Sequence, residues 1–86
     1  MKIYTVFYYL KMNKKEYLRE KEICAQTARE ACALCKDAVR LMSGRTAFRP
    51  STKLTRAELL ELERLPAYVV QLKPETIAKI KNAPNT

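Results

Sequence analysis

The sequence has no histidine and a single glycine among its 86 residues. Without histidine there is no imidazole to serve as a general base. The glycine-rich phosphate-binding patterns GxGxxG and GxxxxGK[ST], and the zinc-protease pattern HExxH, are also missing from the chain. Its closely spaced carboxylates, Glu58, Glu61 and Glu63, are expected on the solvated side of a helix, whereas acid–base pairs face each other across a cleft. The sequence therefore predicts a protein that is not an enzyme and holds no cofactor.

Cysteine is scarce and present in an odd number, as Cys24, Cys32 and Cys35. Three thiols cannot pair fully within one chain, which favours a reducing, cytoplasmic location. Cys32 and Cys35 have the spacing of a metal-binding pair, but structural zinc needs a second pair of ligands. Because both residues fall on the apolar side of a predicted helix, we expect small buried hydrophobic side chains and no metal.

Long apolar runs are missing as well. No stretch approaches the roughly 20 apolar residues that a membrane-spanning helix needs. The first 15 residues have a short apolar run without the small-residue cleavage site of a signal peptide. The sequence therefore predicts neither a membrane segment nor a signal peptide.

The strongest local pattern is a helix from Thr27 to Gly44. Thr27 and Glu30 have the spacing of a capping box at its start, and Gly44 is suited to the left-handed position that ends a helix. Small and apolar residues recur between them at steps of three and four, which is the period of one helix face. They are Ala28, Ala31, Cys32, Cys35, Ala38, Val39 and Met42.

Two strands are predicted before this helix. Residues 2–12 are apolar on both alternating faces, which is typical of a central strand covered on both sides. Residues 13–15 form a polar turn, and residues 16–25 return antiparallel with charges on both faces, which favours an edge strand. The remaining elements are a basic irregular loop, a helix over 56–64 with a second capping box at Thr55 and Glu58, a strand over 67–72, and a helix that starts at Pro74.

The predicted fold class is α+β, with a three-stranded, mainly antiparallel sheet and the element order ββααβα. The third strand is expected beside the first, and the second at the edge. One domain is expected over residues 1–81, followed by a frayed tail over 82–86. A homodimer that covers the remaining sheet surface is an open alternative.

The net charge of +8 is concentrated in two places. Lys14 and Lys15 lie in the predicted turn, and residues 36–56 contain six cations and one acidic residue. Arginine holds phosphate through two parallel hydrogen bonds, so this block is typical of contact with a nucleic-acid backbone. The cations of the block are Lys36, Arg40, Arg45, Arg49, Lys53 and Arg56.

The sequence thus predicts a small basic protein that contacts nucleic-acid phosphate, chiefly through residues 45–56, with Lys14 and Lys15 as a secondary patch. Two alternatives remain open: a module or inhibitor that docks on an acidic protein or nucleoprotein, and a homo-oligomeric structural protein. Phe48 is expected in the core, where it would pin the basic loop. Single strands could stack on the sheet only if Tyr4, Tyr8 or Tyr9 were exposed. The order of elements has a general resemblance to accessory proteins of phages and mobile elements, and no residue motif assigns a family.

Overall fold

The computed structural model describes residues 1–64 and 68–82. The predicted α+β class is confirmed, but these described residues form four strands in the order ββαβαβα. The elements are β1 (Lys2–Met12), β2 (Lys15–Ala25), α1 (Ala28–Ser43), β3 (Phe48–Ser51), α2 (Arg56–Arg64), β4 (Tyr68–Val70) and α3 (Pro74–Asn82). The predicted tail over 82–86 overlaps α3 at Asn82 and otherwise lies outside the described residues.

Strands β1 and β2 form a hairpin with a two-residue turn. Met12 pairs with Lys15, and the turn residues Asn13 and Lys14 have φ angles of 51° and 65°. Positive φ at both central residues is the requirement of a type I′ turn, whose twist matches that of the flanking strands. Asparagine tolerates this backbone well, so the turn forms without a glycine.

The predicted limits of α1 are confirmed by its caps. Thr27 Oγ1 accepts a hydrogen bond of 3.1 Å from the backbone amide of Glu30. At the other end Gly44 has φ 70° and donates its amide to the Arg40 carbonyl at 2.8 Å. This is the left-handed helix end for which glycine is favoured, because other residues meet a steric penalty there.

The order of strands in the sheet is β3-β1-β2-β4, which corrects the predicted arrangement. The segment predicted as the third strand is β4, and it lies parallel to β2, not beside β1; Ala67, the first residue of that predicted strand, lies outside the described residues. The place beside β1 belongs to β3, in the stretch predicted to be an irregular loop. Strand β2 is therefore an interior strand. The residues of β4 carry no local signal that indicates which strand it pairs with.

The prediction that β1 is covered on both sides is confirmed. On one face Val6, Tyr8 and Leu10 pack with buried residues of α1. On the other, Phe7 and Tyr9 pack with Leu18 and with α2 and α3. The two sets of side chains alternate along one strand, so β1 contributes to both cores of the molecule.

Helix α2 begins as predicted, since Thr55 Oγ1 accepts from the Glu58 amide at 3.1 Å. Leu59 and Leu62 are buried, whereas Leu60 is 42% exposed. Helix α3 begins at Pro74 as predicted, and its first turn is held from β2. The Glu20 carboxylate accepts hydrogen bonds of 2.8 Å from the Lys73 amide and from Thr76 Oγ1.

Candidate nucleic-acid interface

Strand β2 separates its charged side chains by sign. Residues paired across an antiparallel ladder lie on the same face of the sheet. Tyr8 pairs with Arg19 and Val6 with Lys21, and both partners from β1 belong to the core beneath α1. Lys15 pairs with Met12, which packs against the same core. Lys15, Arg19 and Lys21, which we call the cationic row, therefore lie on the α1 side.

The acidic residues of β2 lie on the opposite face, where other elements bind them. Glu16 pairs with Arg49, Glu20 binds the start of α3, and Glu22 lies 4.0 Å from Lys73 Nζ. Their contacts lie on the side of the sheet that packs against α2 and α3. They are separated by the sheet itself from the cationic row.

The α1 side of the sheet is only partly covered. The core on that side includes Ala25 of β2, with Ile23 packed against it, and among the described residues it includes none from β4. Tyr17 lies between Lys15 and Arg19 on this face, next to Val69 of β4, and both are half-buried. The middle of β2 and the edge strand β4 thus form an open ledge beside α1.

A cleft of about 240 Å³ lies where this ledge meets the end of α1. Its lining residues are Tyr8, Leu10, Arg19, Lys21, Val39, Met42 and Ser43. Arg19 Nε donates to Gln71 Oε1 at 2.8 Å, which holds the guanidinium at the ledge. Lys21 Nζ lies 3.4 Å from the Met42 sulfur, a weak acceptor. Within the part of the chain that the structure describes, neither cation forms an ion pair with a carboxylate.

Arg49, the centre of the predicted binding block, is instead tied into the opposite face. Between Phe7–Ser51 and Tyr9–Phe48, strand β3 has one residue more than β1, which makes a β-bulge. Arg49 occupies this bulge with φ 49°, although a residue before proline usually has an extended backbone. The bulge turns the Arg49 side chain onto the Tyr9 ring, with 4.2 Å between guanidinium carbon and ring centroid.

Two further groups hold the Arg49 guanidinium. Its Nη2 lies 3.5 Å from Tyr68 Oη and 3.5 Å from Glu16 Oε1. The hydrogen bond with Tyr68, helped by the charge of Glu16, raises the pKa of Arg49 above its ordinary value. Burial raises the pKa of Tyr9, and the adjacent Arg49 charge opposes that shift. We call Arg49, Tyr9, Tyr68 and Glu16 the arginine clamp.

The other predicted cations lie in several places. Arg45 precedes β3, whereas Lys53 and Arg56 follow it, so the strand separates the two parts of the block. Lys53 and Arg49 line one cleft of about 220 Å³ on the α2 side. Lys36 and Arg40 are exposed, four residues apart on α1. Lys14 lies in the hairpin turn, and Lys15 belongs to the cationic row.

The aromatic side chains also differ from expectation. Phe48 is 40% exposed instead of lying in the core, and Lys11 Nζ lies 5.1 Å from its ring centroid. The Tyr8 and Tyr9 rings are buried, so they offer no stacking surface. Tyr4 is half-buried and donates its hydroxyl to the Gln26 carbonyl at 3.4 Å.

The cysteines are free thiols in different environments. Cys35 is fully buried on the side of α1 that faces the sheet, Cys32 is half-buried, and Cys24 is exposed. Burial raises the pKa of Cys35 to about 11, so this thiol is protonated at neutral pH. In the described ranges, no three His, Cys, Asp or Glu side chains are grouped so that they could hold a metal ion.

Arg19 and Lys21 were not among the predicted site residues. Their strand has charges on both faces, which favours a solvated edge strand and gives no indication of a binding site. The informative signal was the sign of the charge, since odd positions from Lys15 to Lys21 are basic or aromatic and even positions are acidic or apolar. Strand alternation alone places these two sets on opposite faces.

Comparison of the chain with protein-family models, curated proteins and solved structures finds no significant match. Over residues 1–64 and 68–82, no helix has the length and apolar character to cross a membrane. The geometry and charge of the protein surface are therefore the features from which a function can be inferred.

Proposed function

We propose that this protein is a non-enzymatic binding protein that contacts nucleic-acid phosphates through the cationic row. The observation that carries this proposal is the division of charge across β2, which puts three cations on the uncovered side of the sheet and three carboxylates on the packed side. A phosphate backbone approaching the ledge meets positive charge while the acidic groups lie behind the sheet. Lys36, Arg40, Arg45, Lys53, Arg56 and Lys14 add longer-range attraction.

The chemistry of the row suits phosphate. Arg19 uses its Nε to bind Gln71, which leaves the two terminal nitrogens of the guanidinium as donors to a ligand. Lys21 has only the weak Met42 sulfur contact within the described residues. Both side chains are half-buried, so less conformational entropy is lost when they bind than for fully mobile cations.

Replacing Arg19 and Lys21 together by Glu tests this function. Each contact of a cation with a single-strand phosphate contributes about 0.7 to the slope of log affinity against log salt. The double variant should therefore lose more than tenfold in affinity at about 0.1 M salt and reduce the slope by roughly 1.4. The measurement is fluorescence anisotropy with labelled 20-nucleotide strands and duplexes of mixed sequence.

The matched control is Lys79→Glu with Lys81→Glu. These residues are exposed on α3, across the sheet from the row, and their replacement changes the net charge by the same amount. If the two double variants lose affinity equally, binding follows net charge and the assignment to the row is wrong. Circular dichroism melting of each variant checks that both still fold.

The predicted block provides a separate comparison. Arg45, Lys53 and Arg56 are exposed, and β3 separates Arg45 from the other two, so their replacement by Glu should weaken binding less per residue than the change in the row. Arg49 is left unchanged in this triple variant because it belongs to the arginine clamp. If this triple variant loses more affinity per replaced residue than the Arg19 and Lys21 variant, the main phosphate contact is instead assigned to residues 45–56.

A further inference from the structure

Helix α1 has a second apolar side that the sheet does not cover. Leu34, Ala38 and Met42 are spaced by four residues and form a ridge along the helix, with Leu41 beside its end. Leu34 is 39% exposed, Leu41 87% and Met42 77%. The buried residues Ala31, Cys35 and Val39 occupy a different row, so the exposed ridge does not contribute to the core on this side.

One contact fixes the position of this ridge relative to the cationic row. Met42, the last residue of the ridge, lies against Lys21, and both line the cleft at the end of α1 with Arg19. Met42 therefore places one apolar side chain beside the two cations, and we call this part of the cleft the groove. Tyr17 adds a half-buried aromatic ring to the floor of the ledge.

We infer that this groove binds single-stranded nucleic acid in preference to duplex, with phosphates on Arg19 and Lys21 and an unstacked base against Met42. The inference deepens the proposed function and depends on it. A single strand has both surfaces that the groove requires, a regularly spaced negative charge and free apolar base faces. In a duplex the base faces are stacked on each other and only the phosphates and groove edges remain accessible.

The shape of the surface supports the same choice. Alternate residues of a strand are about 7 Å apart, so Arg19 and Lys21 present cations at a regular interval along β2. They are half-buried beside α1, and a helix with its side chains is about 10 Å in diameter. A flexible single strand can follow this recessed row, whereas α1 would sterically keep a rigid duplex away from the two cations.

The test replaces Met42 by Ser. This side chain is 77% exposed, so the fold should be retained, and the cations stay in place. With a labelled 20-nucleotide strand that lacks self-complementarity, we expect an affinity loss of roughly tenfold, since contacts of bases with side chains are lost. With the same sequence annealed to its complement, the weaker wild-type affinity and its salt slope should be unchanged. Leu60→Ser on α2 is the matched control and should change neither affinity.

The outcomes separate this inference from the proposed function. Equal wild-type affinity for strand and duplex, or an equal loss for both in the Met42 variant, overturns the single-strand inference and leaves phosphate binding intact. Absence of measurable affinity for either nucleic acid overturns both. An acidic amphipathic peptide that binds the groove while the oligonucleotides do not would assign the surface to a protein partner and also overturn both.

Discussion

At the scale of single residues, the most informative side chain is Arg49. An L-residue with φ 49° is disfavoured sterically, and this one is compensated by the Tyr9 ring, Tyr68 and Glu16. The sequence indicated the charge but not its direction, because the bulge that turns it depends on the register of β3 against β1. Its contribution is therefore expected to be structural.

A pair of variants separates backbone strain from side-chain contacts at this position. Arg49→Ala and Arg49→Gly remove the same contacts, but glycine adopts the left-handed region without the steric penalty. The Gly variant should be more stable than the Ala variant by about 1 kcal/mol in urea unfolding. Equal stabilities would show that the backbone relaxes out of the left-handed region when the guanidinium is absent.

Cys35 leads to a prediction on pH. Burial raises its pKa from 9.0 to about 11, so the folded protein keeps this proton over a range in which the unfolded chain releases it. The contribution of the Cys35 thiol to the free energy of unfolding is fully present below pH 9, and it is lost as the pH rises from about 9 towards 11. Burial raises the pKa of Tyr8 and Tyr9 as well, which adds to the loss above pH 10.

The measurement is the free energy of unfolding in urea at several pH values from 8 to 10.5. In Cys35→Ala the decline between pH 9 and 10 should be shallower than in the wild type, although the smaller side chain lowers stability at every pH. An unchanged slope in this variant would assign the decline to the tyrosines.

At the scale of elements, the sequence predicted those whose signals are local. Helix α1 has its N-cap, its glycine and its apolar period within 18 residues, and both of its ends were found. Strand β3 has only four residues, one of them Pro50, and its bulge breaks any alternation. It forms a strand because it pairs with the free edge of β1. This tertiary contact cannot be predicted from the residues of β3 alone.

Glu20 shows how one strand stabilises a distant helix. Its carboxylate accepts from the Lys73 amide and from Thr76 Oγ1, at the positive end of the α3 dipole. Glu20→Ala should destabilise the protein by about 1–2 kcal/mol in urea unfolding, because two donors at the start of α3 lose their acceptor.

Glu22→Ala is the control on the same face of the same strand. Its described contact is an exposed pair with Lys73 at 4.0 Å, and such pairs contribute little to stability. Comparable losses in the two variants would mean that general charge on β2, and not the bonds at α3, stabilises this side.

At the scale of the whole molecule, the sheet is covered on both sides at β1 and mainly on one side at β2 and β4. The composition predicted a basic protein, and the clustering of the cations was expected along residues 36–56. The structure brings together cations of β2 that are only two residues apart but alternate with glutamates, so counts over sequence windows cancel them. If the charges of β2 are instead grouped by alternate positions, as the two faces of a strand require, the sequence predicts the cationic row.

The hairpin turn has a consequence for this arrangement. The acidic and basic side chains of β2 alternate along the strand. The register of β2 against β1, which begins at the pair Met12 and Lys15, therefore decides which face of the sheet receives each set. A single inserted residue in the turn would invert the strand, placing glutamates on the ledge and lysines against the amino-terminal end of α3. The turn residues Asn13 and Lys14 thus determine which face of the sheet receives the positive side chains of β2, and the length of this turn should vary little in evolution.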